Sequence, residues 1–115
     1  MKFIKLLMVM LLPIIGISQT LKVGDGMQVV HFNAGWNSAN DVKWVDELGD
    51  CKIKQCDIAT DTEAQSKYEI VVVPTIIIFN DGEEIKRFQA DISFTMKATK
   101  EEVQEVIDET IMDSF

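Results

Sequence analysis

The period of the apolar positions changes from block to block along this chain. Met27 to Ala34 is a mostly apolar run with β-branched residues, the pattern of a strand buried on both faces. Beyond it, Asn37 or Ser38 can cap a helix, with Asp41 in its first turn. Val42, Val45 and Leu48 then recur at three-residue steps until Gly49 ends the segment, which predicts a helix, with Trp44 lying off the stripe. A short strand follows from Lys52 to Ile58. Asp61 to Tyr68 predicts a second short helix, with Ala64 and Tyr68 one turn apart. Ile70 to Phe79 is strongly apolar but divided by Pro74, which has no N–H to give a ladder, so the strand proper begins after it. Asn80-Asp81-Gly82 signals a tight hairpin and makes Glu83 to Gln89 an antiparallel strand. Thr99-Lys100-Glu101-Glu102 is a capping box, opening a helix with Val103, Val106, Ile107 and Ile111 at helical spacing.

The predicted order is β-α-β-α-β-β-α: a single α/β domain with a central mixed sheet flanked by helices. Its expected bounds are residues 19–115. The first eighteen residues read differently. Lys2 and Lys5 precede an apolar stretch from Leu6 to Ile17, and Gly16-Ile17-Ser18 supplies small residues for cleavage before Gln19. This is the pattern of a secretory signal peptide, and an apolar run of twelve residues, interrupted by Pro13, is short of the roughly 20 that span a bilayer. No cysteine follows the leader to take a lipid anchor. The expectation is a periplasmic or secreted protein with no membrane attachment after cleavage.

Charge sharpens this. The chain has eleven basic residues against nineteen acids; losing Lys2 and Lys5 with the leader leaves nine, for about −10. An acid excess of that size disfavours nucleic acid and anionic membrane surfaces as partners. Two cysteines, Cys51 and Cys56, remain for an oxidising compartment. Five extended residues separate their Cα atoms by roughly 16 Å, whereas a disulfide needs less than about 7 Å. Their odd spacing also sends them to opposite faces, so two free thiols are expected, with Cys56 a small core residue between Ile53 and Ile58.

Two short motifs carry a family resemblance. The strand Val29-Val30-His31-Phe32 runs into Gly35-Trp36-Asn37-Ser38-Ala39-Asn40, and about forty residues later Val73-Pro74-Thr75 leads into Ile76-Ile77-Ile78-Phe79. Together with the Asp81-Gly82 hairpin, this resembles the thioredoxin family over nearly all of residues 19–115. The resemblance implies a thioredoxin-like fold and a cis peptide before Pro74. It also implies that Asn37 and Asn40 stand where the family carries its Cys-x-x-Cys pair, and His31 where it carries a buried aspartate. Disulfide exchange needs a thiolate at a helix N-terminus and a resolving thiol one turn later. Asparagine is neither nucleophilic nor redox-active, so dithiol activity is not expected at this turn. No catalytic residue, cofactor or metal is expected either, since one histidine and two spaced cysteines do not form a ligand set.

What remains is a frame with two readings: binding without turnover, or Trp36 and Pro74 kept only as packing. The resemblance implies that the Val73 backbone faces the Trp36–Asn40 turn, where an extended protein or peptide segment pairs in β fashion. Trp36 supplies an apolar platform, and Asn37 and Asn40 offer amide donors and acceptors. The competing reading is an atypical thiol oxidoreductase or redox sensor using Cys51 or Cys56. One further segment stands out. Ile92, Phe94 and Met96 alternate with Ser93, Thr95 and Lys97, a strand period that suggests an extension of the hairpin strand, an added edge strand able to self-associate, or packing under the last helix.

Overall fold

A computed structural model describes residues 21–115; the leader expected over residues 1–18 lies outside the described residues. Four strands form one sheet: β1 (Met27–Asn33), β2 (Lys52–Asp57), β3 (Thr75–Asn80) and β4 (Glu83–Gln89). Their spatial order is β2-β1-β3-β4. β1 runs parallel to β2, with Phe32 opposite Cys56, and antiparallel to β3, with Phe32 opposite Thr75. β4 lies antiparallel to β3, with a register irregularity at Ile78/Phe79. The mixed sheet expected from the sequence is present.

The period of two in each strand divides the core into two layers. Val30 and Phe32 of β1, and Ala34 just after it, join Cys56, Ile58, Val73, Ile77 and Phe79 on the face covered by helix α1 (Thr62–Lys67), through Ala64. Val29 joins Val42, Val45, Leu48, Ile76 and Ile78 on the other face, under helix α2 (Lys100–Asp113), through Val103 and Ile107. β1 is buried on both sides as predicted, because it is central in the sheet and each face has its own cover.

Local signals explain the ends of these elements. Asp61 accepts from the Ala64 N–H and caps α1. Thr99 accepts from the Glu102 N–H at 3.2 Å, and its hydroxyl donates to the Glu102 carboxylate at 3.3 Å. Asp81 and Gly82 both have positive φ, 52° and 83°, the backbone that joins two right-twisted strands in two residues. The edge strands are charged: β2 carries Lys52 and Lys54, and β4 carries Glu83, Glu84, Lys86 and Arg87. Arg87 pairs with Glu84 at 2.7 Å and also donates to the Tyr68 carbonyl, tying β4 to the end of α1.

Two expectations need correction. The crossover from β1 to β2 is not an α-helix but two short 3-10 helices, Gly35–Asn40 and Lys43–Glu47, broken at Asp41–Val42. Neither has a side-chain cap, so Asn37 and Ser38 do not cap a helix as expected. The reason is competition from β1. His31 and Asn33 face the crossover and take up the Val42 N–H and the Asp41 carboxylate, so Asp41 and Val42 stay extended. The second correction concerns Asp91 to Ala98, which is a turn and loop, not a strand. Asp91 accepts from the Ser93 N–H at 2.9 Å, and Phe94 sits at φ 60°; both break an extended run. Ile92 points to solvent, Phe94 lies against Trp36, and Met96 packs on the core under α2. The shared apolar face expected of the three does not form.

Candidate functional site

Most of the residues singled out in the sequence gather at one end of the sheet, where β1 leaves it and β3 enters. The peptide bond between Val73 and Pro74 is cis. The Val73 side chain is buried in the α1-side core together with Ala34, at the end of β1. Thr75, the next residue, is fully buried, and its hydroxyl donates to the Val72 carbonyl at 2.6 Å. Pro74 is buried, and its carbonyl accepts from the Ala90 N–H at 3.0 Å. The backbone N–H and C=O of Val73 carry no hydrogen bond to any described residue. A main-chain pair left open beside a buried side chain is the arrangement that an incoming strand completes.

Trp36 is 67% exposed although it is the largest side chain of the turn. Phe94 meets it edge to face, ring centroids 5.4 Å apart and planes at 89°. The chain from Ala90 to Phe94 therefore connects the Pro74 loop to the Trp36 turn: one end bonds Pro74, the other packs on Trp36. A bulky residue at positive φ is uncommon, and at Phe94 the strained backbone carries that ring to Trp36.

Asn37 is buried beneath the turn and its side chain is fully occupied. Its amide nitrogen donates to Asn33 Oδ1 at 3.1 Å and to the Phe94 carbonyl at 3.3 Å. Its oxygen accepts from Asn40 Nδ2 at 2.9 Å. Asn33 in turn donates to the Asn37 carbonyl at 3.1 Å and to Asp41 Oδ1 at 2.5 Å. The amide groups thus hold the turn to β1 and to the Phe94 loop. Asn37 is not free to meet a ligand, whereas Asn40 stands at the surface. Asn33, Asp41 and Phe94 belong to this site although no local motif marks them.

A cleft of about 650 Å³ opens between the crossover and the C-terminal end of β2; its lining includes Asn33, Asp41, Asp46, Gln55 and Asp57. His31 lies at this cleft and is almost completely buried. Its Nδ1 is 2.6 Å from Gln55 Oε1, and its Nε2 accepts from the Val42 N–H at 3.4 Å. Gln55 Nε2 donates to Asp46 at 3.4 Å, which directs its oxygen towards the ring and fixes the neutral tautomer with the proton on Nδ1. Burial lowers the His31 pKa, and the Gln55 contact and the nearby Asp41 and Asp46 oppose that effect.

The cysteines lie elsewhere. Cys51 packs against the α2-side core and Cys56 belongs to the α1-side core, so they occupy opposite faces as two free thiols. Burial, reinforced by Asp61 and Asp57, pushes the Cys56 thiol up to about 11; the Asp61 carboxylate lies 3.9 Å from its sulfur. Burial and Asp50 raise Cys51 as well. Among the described residues, no three His, Cys, Asp or Glu side chains form a set able to hold a metal ion, and no helix is long and apolar enough to cross a membrane.

Neither a protein-family model nor a curated protein sequence matches the chain. Solved structures do. A point-mutant thioredoxin from Halobacterium salinarum superposes with a TM-score of 0.59 at 19% identity, covering 74% of each chain. A thioredoxin from Fasciola hepatica gives 0.55 at 23% identity, over 75% of this chain and 82% of the other. The reduced Schistosoma mansoni thioredoxin pre-protein gives 0.59 at 23% identity, over 74% and 79%. The chain has a thioredoxin fold. Within that fold the cis-proline loop and the tryptophan turn stand at one end of the sheet, while the chain's two cysteines, five residues apart, form no Cys-x-x-Cys pair.

Proposed function

We propose that this thioredoxin-fold protein is an exported binding module that holds an extended protein or peptide segment between Trp36 and the Val73–Pro74 loop, without exchanging disulfides there. One observation carries the reading: Asn37 and Asn40 are locked to each other beside an exposed Trp36, at the turn where an exchanging site needs a free thiolate. The open Val73 main chain supports binding by β pairing, and Trp36, Asn40 and Phe94 supply the neighbouring surface. Asn37 acts from beneath, by holding the turn. The paired lysines and apolar run of residues 2–17 support export.

The thiols favour no second reading. A thiol raised to about 11 is ionised in only about one molecule in ten thousand at pH 7, and neither sulfur lies at the Trp36 turn. The expected result is no reduction of insulin disulfides by the mature chain. Turnover that disappears on Cys56→Ser would replace this reading with an atypical oxidoreductase. Binding is tested by crosslinking in the native envelope fraction, comparing the parent chain with Trp36→Ala. Partners captured equally by both chains would place binding away from this site.

A further inference from the structure

We propose that His31 is a pH-operated clamp on the crossover: a proton added to its ring frees Val42, draws Asp41 off Asn33, and so loosens the amide network that holds the Trp36 turn. The geometry supplies each step. Neutral His31 donates from Nδ1 to Gln55 and accepts at Nε2 from the Val42 N–H. When a solvent proton occupies Nε2, the ring has two donors and no acceptor, and the Val42 N–H faces another N–H. That opposition breaks the one side-chain hydrogen bond between β1 and the Val42 backbone.

The new N–H needs an acceptor, and the charged groups around the ring decide which. The crossover offers Asp41 and Asp46, with Lys43 opposing them; β2 offers Asp57 at the same cleft, beside Gln55 and the un-ionised Cys56 thiol. From β3, Ile76 stands opposite His31, and the α2 residues that enter this core layer, Val103, Val106, Ile107 and Ile111, are all apolar. Asp57 is engaged with the Gly35 and Ala59 N–H groups, and Asp46 with Gln55. Asp41 adjoins Val42, the residue that protonation frees. Its present partner is Asn33 Nδ2, so a turn towards the imidazolium leaves that amide with the Asn37 carbonyl alone. Asn33 is also the acceptor for Asn37, and Asn37 holds both Asn40 and the Phe94 carbonyl. Protonation of one ring thus reaches the turn through contacts already made.

Control of ligand binding follows only with the binding reading above. The test therefore observes the turn without any ligand, so failure of the clamp and failure of the binding reading are distinguishable. His31 is the sole histidine of the chain, so its ring gives one unambiguous NMR signal in a histidine-labelled sample. The expected result is a common midpoint, below the ordinary imidazole value of about 6.5, for three signals: the His31 ring, the Val42 amide and the Asn37 side-chain amide. One pH unit below that midpoint the charged ring outnumbers the neutral one about tenfold, and protection of the Val42 amide from exchange should fall by a similar factor. Asp41→Asn keeps an acceptor for Asn33 but removes the charge, so His31 and Val42 should still titrate together while the Asn37 signal stays fixed. A ring that stays neutral throughout the folded range overturns the proposal. So does a ring that titrates in the wild-type chain without moving the Asn37 signal.

Discussion

The crossover between β1 and β2 and the helix α2 cover the same face of the sheet by different means. α2 is regular, opened by Thr99 and Glu102, and meets the core through Val103 and Ile107, four residues apart. The crossover meets that core through Val42, Val45 and Leu48, three residues apart at each step, and is built of 3-10 turns. A strict three-residue repeat is the period of a 3-10 helix, whereas an α-helix needs steps of three and four to keep one face inward. α2 is held by its own ladder and its buried stripe. The crossover is held by side chains of another element, chiefly His31 and Asn33. A segment held in that way can respond to a change in its partners, while α2 serves as a fixed support.

This contrast can be broken in α2 or in the crossover. The largest effect is expected from Ile107→Ala, which leaves a hole under α2 and should cost about 2–5 kcal/mol, read as a lower urea midpoint. In a Trp44→Phe background the quenching of Trp36 by acrylamide should stay unchanged, because α2 does not hold that turn. Next comes Asn37→Leu. It strands Asn33, Asn40 and the Phe94 carbonyl and should cost about 1–3 kcal/mol, with a clear rise in Trp36 quenching. If Trp36 quenching responds to Ile107→Ala and not to Asn37→Leu, the division between the two segments is wrong. Thr99→Ala should cost about 1 kcal/mol, fray only the start of α2 and leave Trp36 as it is.

The smallest effect is the acid limb of stability. The His31 pKa is lowered in the folded chain, so the neutral ring is favoured there. Its contribution is complete above the unfolded value of about 6.5. As the pH falls below that value, the unfolded chain takes up a proton first and the contribution shrinks, until it is gone once the folded ring titrates too. Urea titrations at a series of pH values should show this slope in the parent chain and its loss in His31→Gln.

Where a local signal had no competitor, the sequence could be read directly. The Asp81-Gly82 turn, the Thr99 cap, the short helix after Asp61 and the strand that follows Pro74 stand where the pattern puts them. The crossover misleads because Asn37, Ser38 and Asp41 look like the start of a helix. The groups that interrupt it, His31 and Asn33, lie back in β1 and reach it only after folding. Asp91 to Ala98 misleads differently: its alternation imitates a strand, yet the Asp91–Ser93 spacing is that of an Asx turn. Trp36, Pro74 and Asn40 could be picked out as candidate residues from short motifs. Asn33, Asp41 and the Phe94 carbonyl could not, since their part depends on contacts between separate segments.

The charged rims of the sheet bear on how copies of this molecule meet one another. β2 carries Lys52 and Lys54 and β4 carries Glu83, Glu84, Lys86 and Arg87, with the ladder irregular at Ile78/Phe79. A second sheet edge meeting either rim must match its charges, Lys52, Lys54 and Asp57 on β2 or the mixed row on β4. Charged rims on both sides are the means by which a sheet discourages edge-to-edge pairing with another copy.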